Sequence, residues 1–576
     1  MKKKVFILLA VSILSIFLAT PSVLAENDIN VVNSQDWDDV FSVMLASSLA
    51  EEKAYFVNSQ VFSAFSRQIP SNSEITLYNS QGNSFIPNLN SQLISAGYTV
   101  EEVITSNSIN TDLAAGWNNF IVISSDNHEI SLSLPPLAKH LDAWVLIVTD
   151  DNLGEVESLL ANADEVIAVG NFKRSFRQAL EPHFDRHINE GSNHLNSVEV
   201  ARLLPSSGNV VLTDGTILEA EFFSTRSPIL LSGTNRILDE AYDFLVQSEV
   251  RSVIIVGNQL TVVGEQIRTR SNRAISVFVK FGQSVVGTDD GIQALTTLAM
   301  PRGSIGLDVQ RVIYSPSTNE LIVNFENTGN IGMYKLSTIA IKTGSDETTL
   351  ASVGDESAVF LGAGEVLSMV YEADLPIEVL DETSFAEFFT SYGRSPNTLD
   401  TFLTMADLYS PPFRKNVEVE DIEPDAAVLE FEEVAYYSNL RRVGVTVTNN
   451  YTDTIYLRVK IGNIIVNGLE TDLFRESSVG AGRTSTIYLP VELDSVDLEE
   501  NEFFNVNIIY GSDEEFMLKT INERVPFTVV SGGITGLLIG AFTGQAGAAG
   551  IALLVALVAI IAGVVGYVVV RVKRRY

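Results

Sequence analysis

Short β-branched runs that end in turn residues and alternate with helix-like stretches dominate residues 209–272. This segment reads NVVLTDGTILEAEFF, then PILLSGTNRILDEAYDFLVQSE, then SVIIVGNQLTVVGEQI. The alternation predicts βαβ units with a parallel sheet. The runs Val210–Leu212, Ile229–Leu231 and Val253–Val256 are apolar throughout, as expected for strands that are covered on both faces.

The same order of segments occurs twice more upstream. KAYFVNSQVF and AWVLIVTDDNLGEV align with SPILLSGTNRILDE, while SEITLYNSQGNSFIPNL and DEVIAVGNFKRSFRQAL align with SVIIVGNQLTVVGEQI. The period of about 90 residues suits a small α/β subdomain rather than a solenoid unit. We place the three copies at 26–112, 113–185 and 186–282. A single copy leaves strand edges and a helix face bare, so we expect the three to pack around a pseudo-threefold axis.

These segments resemble the type 2 cell-wall-binding repeat, through the order VVLTDG, PILLSGTNRILDEAYDFL and VIIVGNQLTVVGEQI. That repeat occurs in threes in surface-layer and adhesin proteins of clostridia, and divergent copies occur in archaeal surface proteins. The resemblance spans residues 27–273 and implies an α/β fold and binding of an anionic polymer. The family's copies open with Arg-Ile-Gly and Arg-Tyr. The corresponding residues here are His187-Ile188-Asn189 and His194-Leu195, so a histidine replaces each of the two arginines.

From residue 303 onward the sequence consists of short runs of alternating apolar and polar residues separated by turn residues, which predicts all-β sandwiches. LIVNFENTGNIGMYKL parallels VGVTVTNNYTDTIYLRV, and SPPF parallels RVPF, so we predict two immunoglobulin-like copies at 303–413 and 425–530. Such domains serve as spacers or present a ligand-binding face. We predict a helical linker at 283–302, with a helix at 290–299, and an acidic linker at 414–424.

Both ends of the chain carry targeting signals. Residues 1–25 have a basic head, an apolar middle and small residues before Ala25, which predicts a cleaved secretory signal, with an uncleaved anchor as the alternative. Residues 549–570 are uncharged and apolar, long enough for a transmembrane helix. The basic tail 571–576 then lies in the cytoplasm and the bulk of the chain outside the cell. Between them, 531–548 is a glycine-rich stalk.

Composition excludes several classes of function. The chain has 72 acidic and 37 basic residues and a net charge of −35, so binding to nucleic acid through bulk electrostatics is not expected. It has no cysteine, which rules out disulfide frameworks, zinc–thiolate sites and cysteine nucleophiles. No phosphate loop or Ser-His-Asp arrangement stands out, so we predict neither an enzyme nor a bound cofactor.

Three sets of residues are candidates for sites. His183, Asp185, His187 and His194 supply types that ligate zinc or iron, although the nearby proline and glycine favour a loop between repeats. A basic set is predicted to bind an anionic glycan or wall polymer, with ordinary salt bridges as the alternative. Its members are Lys173, Arg174, Arg177, Arg268, Arg270 and Arg273. Asn450 begins an Asn-Tyr-Thr triplet, an acceptor for N-glycosylation.

The sequence therefore predicts a multidomain α/β plus all-β protein held at the cell surface by a single C-terminal helix. The expected role is structural or adhesive, as in a surface layer, with contact to an envelope glycan or anionic polymer and self-association. An archaeal source fits better than a clostridial one, because a membrane helix lessens the need for a wall anchor. A receptor-like ligand-binding protein is the second hypothesis and an envelope hydrolase the third.

Overall fold

The computed structural model describes thirteen segments of the chain, and all structural statements concern these residues. They are 28–58, 62–71, 73–105, 109–257, 260–280, 297–301, 303–344, 346–380, 383–396, 398–404, 412–422, 425–514 and 516–530. The predicted signal peptide 1–25, stalk 531–548, transmembrane helix 549–570 and tail 571–576 lie outside them. Within the described residues, no helix has the length and apolar character needed to cross a membrane.

Three four-stranded parallel sheets form the N-terminal half, and all three have the strand order 2-1-3-4. The strands of the first are β1 (Asp28–Asn33), β2 (Lys53–Phe56), β3 (Glu74–Ser80) and β4 (Thr99–Thr105). Those of the second are β5 (Asn119–Ser124), β6 (Trp144–Val148), β7 (Glu165–Val169) and β8 (Arg186–Ile188). Those of the third are β9 (Asn209–Thr213), β11 (Ile229–Leu231), β12 (Ser252–Val256) and β13 (Ser276–Lys280). The predicted triplication is thus visible as three identical topologies.

Helices connect the strands of each repeat, as right-handed parallel crossovers require. The first repeat has α1 (Trp37–Leu49), α2 (Phe62–Phe65) and α3 (Leu89–Ser95), and α4 (Ile109–Leu113) leads out of it. The second has α5 (His128–Ser131), α6 (Pro135–Leu141), α7 (Leu153–Leu160) and α8 (Arg174–Leu180). The third has α9 (Asn193–Arg202), α10 (Glu221–Ser224), α11 (Asp239–Gln247) and α12 (Thr261–Arg270).

The second repeat is the centre of the head, which is our name for residues 28–280. One large apolar cluster contains most of its sheet together with residues from both neighbouring repeats. The first crossover segments of the repeats meet in pairs: Trp37 of α1 stacks near His128 of α5 at 5.8 Å, and Phe41 packs on Phe223 at 5.4 Å. Contacts between α6 and α10 complete the set. Corresponding elements therefore face one another, and the exact rotational relation between copies stays a prediction.

Two β-sandwiches follow, again with matching topologies. In the first, one sheet contains β15 (Leu307–Ser315), β16 (Glu320–Asn327), β20 (Val366–Glu372) and β24 (Glu418–Val419). The other contains β17 (Met333–Lys342), β18 (Thr349–Gly354), β19 (Val359–Leu361), β21 (Phe385–Gly393), β22 (Thr401–Phe402) and β23 (Phe413–Asn416). In the second, one sheet contains β25 (Leu429–Tyr437), β26 (Arg442–Asn449), β29 (Thr484–Pro490) and β32 (Val529–Val530). The other contains β27 (Ile455–Val466), β28 (Leu469–Val479), β30 (Phe503–Gly511) and β31 (Lys519–Pro526). Helix α13 (Ser495–Glu500) joins β29 to β30.

Both predicted linkers need correction. Residues 283–296 of the segment predicted to be a helical linker lie outside the described residues. Thr297–Ala299 is strand β14, and its antiparallel pairing with β10 (Ile217–Glu219) of the head takes the place of the helix predicted there. Residues 414–416 and 418–419 of the predicted acidic linker belong to β23 and β24 of the first sandwich. These strands contain Arg414, Lys415 and Glu418 because they lie at sheet edges, where charged side chains reach solvent, and such a charged segment resembles a solvated linker.

A buried asparagine holds a turn at the same place in both sandwiches. Asn327 donates from Nδ2 to the carbonyls of Ile331 and Gly362, both at 2.8 Å, and accepts at Oδ1 from the Gly329 amide. The equivalent Asn449 donates to the carbonyls of Asp453 and Val479 and accepts from the Tyr451 amide. Each asparagine thereby ties a turn to the end of another strand in its sandwich.

Both sandwiches pack against other parts of the chain. The first meets the head where Asn235 Nδ2 donates to the Phe402 carbonyl at 2.8 Å and Arg236 donates to the Leu399 carbonyl at 2.9 Å. The second meets the head at Asn467, whose carbonyl accepts from the Arg174 amide. Tyr334 of the first sandwich donates to Asp472 of the second. The head and both sandwiches are therefore in mutual contact rather than arranged end to end.

Candidate functional site

A polar cleft of the head lies between its first two repeats, at the carboxyl ends of the strands of the first sheet. In open parallel sheets this edge is where ligands bind, because the loops after the strands converge there. We call it the acidic cleft, and its volume is about 680 Å³. Its lining residues are Asp36, Asp38, Asp39, Ser80, Gln81, Asn83, Thr105, Thr149, Asp151, Asn152 and Glu155.

The acidic cleft is held together by hydrogen bonds among its own side chains. Asp39 is buried at the start of α1, and its Oδ2 accepts from Ser34 Oγ at 2.7 Å. Asn83 donates to Asp36 at 2.7 Å, which ties the loop after β3 to the loop after β1. On the opposite wall, Glu155 accepts from Thr111 at 2.8 Å. These contacts fix carboxylates from two repeats on facing walls.

Burial raises the pKa of Asp39 to about 6, and the neighbouring carboxylates of Asp38 and Asp36 push the pKa in the same direction. Burial likewise raises the pKa of Asp38. The described lining includes five carboxylates and neither lysine nor arginine. The cleft thus offers acceptors for hydroxyl groups and a negative potential for amines or cations, and it disfavours polyanions.

A second cleft, of about 610 Å³, lies between the two sandwiches and is lined by residues such as Phe360, Phe474 and Asn507. Two buried charged groups face each other across it. Glu365 accepts from the Gly362 amide at 2.5 Å, and burial raises its pKa to about 7 while the nearby Arg458 opposes the rise. Arg458 donates from Nε to Glu476 at 2.8 Å. Its Nη1 is buried without a hydrogen-bond partner among the described residues.

Two members of the predicted basic set, Arg174 and Arg177, lie against the second sandwich. The side chain of Arg174 is 6% exposed and contacts Asp494 at 3.0 Å, Asp497 at 2.7 Å and Glu500 at 2.5 Å. Asp497 is itself 1% exposed and accepts from the amides of Asn467 and Gly468. Arg177 donates to the carbonyl of Gly468 at 3.1 Å. These guanidinium groups join two domains.

Lys173 and the second half of the set have other surroundings. Lys173 pairs with Asp150 at 2.5 Å and lies over the ring of Phe176. Arg268 and Arg270 lie on α12 and pair with Glu265 at 3.5 Å and Asp239 at 2.8 Å. Arg273 follows that helix in a left-handed conformation, with φ of 65°. Helices α8 and α12 occupy the same place in their repeats, as the sequence predicts, and binding of a polymer by these residues stays a prediction.

The four candidate metal ligands are in different places. His183 lies in a 3-10 turn, and Asp185 accepts from the Val166 amide at 2.8 Å. His187 lies in β8, with Nε2 at 2.8 Å from the Gly170 carbonyl. His194 begins α9 and contacts Asp400 of the first sandwich at 3.2 Å. In the part of the chain that is described, no three His, Asp or Glu side chains form a group able to hold a metal.

Asn450 is exposed in the turn after β26, and its Nδ2 donates to Glu430 at 2.9 Å. The position is accessible to a modifying enzyme, and its glycosylation stays a prediction.

Sequence reasoning missed the acidic cleft, although a signal was present. The runs QDWDD and TDDN each follow a predicted strand, at 35–39 and 149–152. Acidic residues directly after parallel strands point to the ligand-binding edge of a sheet. The two runs face each other because of the way the first and second repeats pack. The sequence pattern of each repeat alone does not reveal that packing.

No family model matches the chain, and no curated protein matches it. Among solved structures, it is similar to Cwp8 from Clostridium difficile, with a TM-score of 0.36 and 13% identity over 43% of this chain and 48% of that chain. It is also similar to Cwp6 from the same organism, with a TM-score of 0.32 and 10% identity over 46% of this chain and 55% of that chain. The chain thus spans about half the length of each, and these values do not establish a family.

Proposed function

We propose that this chain is a structural component of a cell surface, anchored in the membrane by residues 549–570 with its bulk outside the cell. The observation that carries the proposal is that the head and both sandwiches are joined into one body by buried polar contacts. A rigid body of this kind is suited to a repeating envelope layer, where each subunit must keep a fixed shape.

Charged contacts between the domains support this rigidity. Arg174 joins the head to the second sandwich through the buried Asp497. Arg394 of the first sandwich pairs with Glu129 of the head at 2.9 Å, and His194 contacts Asp400 beside it. Buried ion pairs are strongly destabilised when one partner is withdrawn, so opening either interface is costly.

Features of the sequence support the location. The basic head and apolar run of residues 1–25 fit export, and the apolar segment 549–570 followed by basic residues fits a single membrane anchor. The resemblance of the repeats to cell-wall-binding repeats points to the same place. The net charge of −35 gives a self-repelling, well-solvated exterior.

The test is assembly of the full-length protein on a membrane. The chain is reconstituted into liposomes at high surface density and imaged by electron microscopy. We expect ordered two-dimensional arrays, with protease added outside removing the domains but leaving a C-terminal fragment in the vesicle. Randomly dispersed particles at every density would contradict a structural role, and complete loss of the chain from the vesicles would contradict the anchor.

A receptor-like role is the second candidate, and the acidic cleft favours it. The described lining of the cleft has five carboxylates and no basic residue, which suits a glycan that carries amino groups, through charge-assisted hydrogen bonds. Glucosamine oligomers are the probe, and their N-acetylated forms are the neutral control. A rise in melting temperature with the amine form only, lost in Asp151→Asn, would support this role. Equal responses to both oligomers would argue against it. Hydrolysis of an envelope polymer stays a prediction.

A further inference from the structure

A lysine, an aspartate and a tyrosine meet in the core of the first sandwich. Lys335 on β17 is 0% exposed, and its Nζ lies 2.8 Å from Oδ2 of Asp355, whose side chain is 1% exposed. The Tyr371 hydroxyl, from β20 in the opposite sheet, donates to Oδ1 of Asp355 at 2.8 Å. The amine also lies 3.8 Å from the centre of the Phe325 ring. The pair is sealed from water inside an apolar shell.

The position of Asp355 is fixed by the backbone. Its Oδ2 accepts from the amide of Ser337 at 2.8 Å, and its own amide donates to the carbonyl of Ser337 at 2.9 Å. The carboxyl group is therefore locked against β17, two residues beyond the lysine. Proximity held by a folded scaffold is what turns an unfavourable bimolecular condensation into a feasible intramolecular one.

The second sandwich has an apolar core at the same place. Tyr334 pairs with Gly393 and Tyr456 pairs with Gly511, so Lys335 corresponds to Leu457. Leu321 pairs with Tyr371 and Val443 pairs with Leu489, so Tyr371 corresponds to Leu489. Leu457 and Leu489 are fully buried core residues. This fold therefore does not require a lysine and a tyrosine at these two positions, and burying a charged lysine in place of a leucine carries a large desolvation penalty.

We propose that Lys335 and Asp355 condense to form an intramolecular isopeptide bond, with Tyr371 as the residue that polarises the carboxyl group. The product is an amide that links two side chains of the first sandwich, and no enzyme or cofactor takes part. An amide removes both charges from the core, which accounts for their placement there.

The reaction balances as the loss of one water. Transfer of a proton from the ammonium group to Oδ2 leaves a neutral amine beside a neutral carboxylic acid. The lone pair of Nζ attacks Cγ, the N–C bond forms, and the carbonyl electrons move to Oδ1, where the Tyr371 hydroxyl donates. A second amine proton passes to the Oδ2 hydroxyl, the Cγ–Oδ2 bond breaks with its electrons, and water leaves as the carbonyl at Oδ1 re-forms. The third proton remains on the amide.

The surroundings favour the first step. Burial lowers the pKa of Lys335 to about 8, which eases formation of the nucleophilic amine. A neutral acid–amine pair is also the less penalised form in a low-dielectric core. The Phe325 ring and the fixed Ser337 backbone hold amine and carboxyl together in a space that excludes water, so hydrolysis of the amide is suppressed.

The chain itself contains a matched control. Lys342 on the same strand contacts Glu387 at 2.5 Å, but its side chain is 18% exposed and Glu387 is shared with Arg414. That lysine reaches solvent and its carboxylate partner is shared with a second cation, so we expect the pair to remain an ion pair. If Lys335 is linked and Lys342 is not, then burial and geometry decide the reaction, and proximity of an amine to a carboxylate is not sufficient.

Peptide mass spectrometry of the full-length protein, denatured and digested with trypsin, tests the proposal. We expect a branched peptide that contains Lys335 and Asp355 and lacks the mass of one water, no cleavage after Lys335, and normal cleavage after Lys342. Linear peptides of unreduced mass, with complete cleavage after Lys335, would overturn it, and this result needs no variant. Asp355→Ala should restore cleavage after Lys335.

A second variant tests the tyrosine. Tyr371→Phe keeps the ring and removes the hydroxyl, so newly synthesised protein should contain a linear fraction at least tenfold larger than wild type at equal age. Linkage at the wild-type rate in Tyr371→Phe would overturn the role assigned to Tyr371.

Discussion

The two sandwiches have the same strand order and the same turn-holding asparagine, yet they differ where charge is buried. Each also has a bulge in its first strand, between Val309 and Arg311 in one and between Phe431 and Glu433 in the other. The first sandwich has the buried Lys335 where the second has Leu457. It has the buried Glu365 where the second has the exposed Arg483. The shared features rest on the strand pairing and the two asparagines, while the buried charges at Lys335 and Glu365 are specific to the first sandwich.

Their attachments to the head differ as well. The first sandwich uses the segment 394–402, whose carbonyl groups accept hydrogen bonds from Asn235 and Arg236 of the head and whose Arg394 pairs with Glu129. The second uses the β27–β28 turn and α13, whose carboxylates surround Arg174. The first interface combines hydrogen bonds to the backbone with an ion pair whose arginine is partly exposed, whereas the second depends on the buried pair of Arg174 and Asp497. The two interfaces should therefore respond differently to loss of a single side chain.

The largest effect is expected from placing the lysine of the first copy in the second. Leu457→Lys buries an ammonium group without the partner that Asp355 provides in the first sandwich, and should lower the free energy of unfolding by about 3 to 5 kcal/mol. Urea denaturation followed by the tyrosines of the second sandwich measures it. Leu457→Met is the volume control. A loss no larger than that of the methionine variant would show that the second core accepts charge.

The second-largest effect is expected at the charge cluster between the head and the second sandwich. Arg174→Gln leaves Asp497 buried without its cation and should cost about 3 kcal/mol. Arg268→Gln, the same change on the corresponding helix of the third repeat, should stay within about 0.5 kcal/mol because Arg268 is exposed. Calorimetry of the full chain compares the two. Equal effects would mean that Arg174 is an ordinary surface residue.

Glu365 and Arg483 occupy the same turn of the two sandwiches, and only Glu365 should make the free energy of unfolding depend on pH. The pKa of Glu365 rises on folding to about 7, so the folded state binds the proton more tightly and stability falls as the pH rises from about 4.5 to 7. Glu365→Gln removes this loss and should stabilise the protein by about 2 to 3 kcal/mol at pH 8, with little effect at pH 4. Arg483→Gln should show no such profile. A pH-independent difference for Glu365→Gln would refute the assignment.

The smallest difference between copies is expected at the shared asparagines. Asn327→Ala and Asn449→Ala each lose a comparable set of buried hydrogen bonds and should each cost about 2 kcal/mol. Asn450→Ala, one residue along and exposed, serves as the control and should be nearly neutral. Values that differ by more than a factor of two between Asn327 and Asn449 would show that the asparagine is not equally important in both copies.

The sequence predicted those parts of the fold that depend on local apolar pattern. The apolar run Trp144–Val148, within the aligned segment AWVLIVTDDNLGEV, is a strand buried at every residue, and a helix follows it at Leu153–Leu160. The fourth strand of two repeats was missed. Strand β4 reads TVEEVIT and is largely exposed at a sheet edge, and β8 has three residues, only the last of them buried. Edge strands lack the apolar signal that burial on two faces imposes.

The sites were harder to predict because their partners are far apart in sequence. Lys173, Arg174 and Arg177 form a visible basic cluster, but the carboxylates that surround Arg174 lie more than 300 residues later. The acidic cleft likewise combines two repeats. The alignment of SPPF with RVPF placed Phe413 opposite Phe527, whereas the strand register makes Val417 its counterpart, and this error displaced the end of the first sandwich.

Contact between the head and the second sandwich is tested most directly by a disulfide across it. The chain has no cysteine, so Ser175→Cys with Asn467→Cys introduces the only two thiols. The amide of Ser175 lies 3.2 Å from Asn467 Oδ1. We expect mild oxidation of the native full-length protein to join the two residues, shifting its mobility on a non-reducing gel, with single variants unchanged. Two thiols that both stay titratable after oxidation would contradict a head and second sandwich packed as one body.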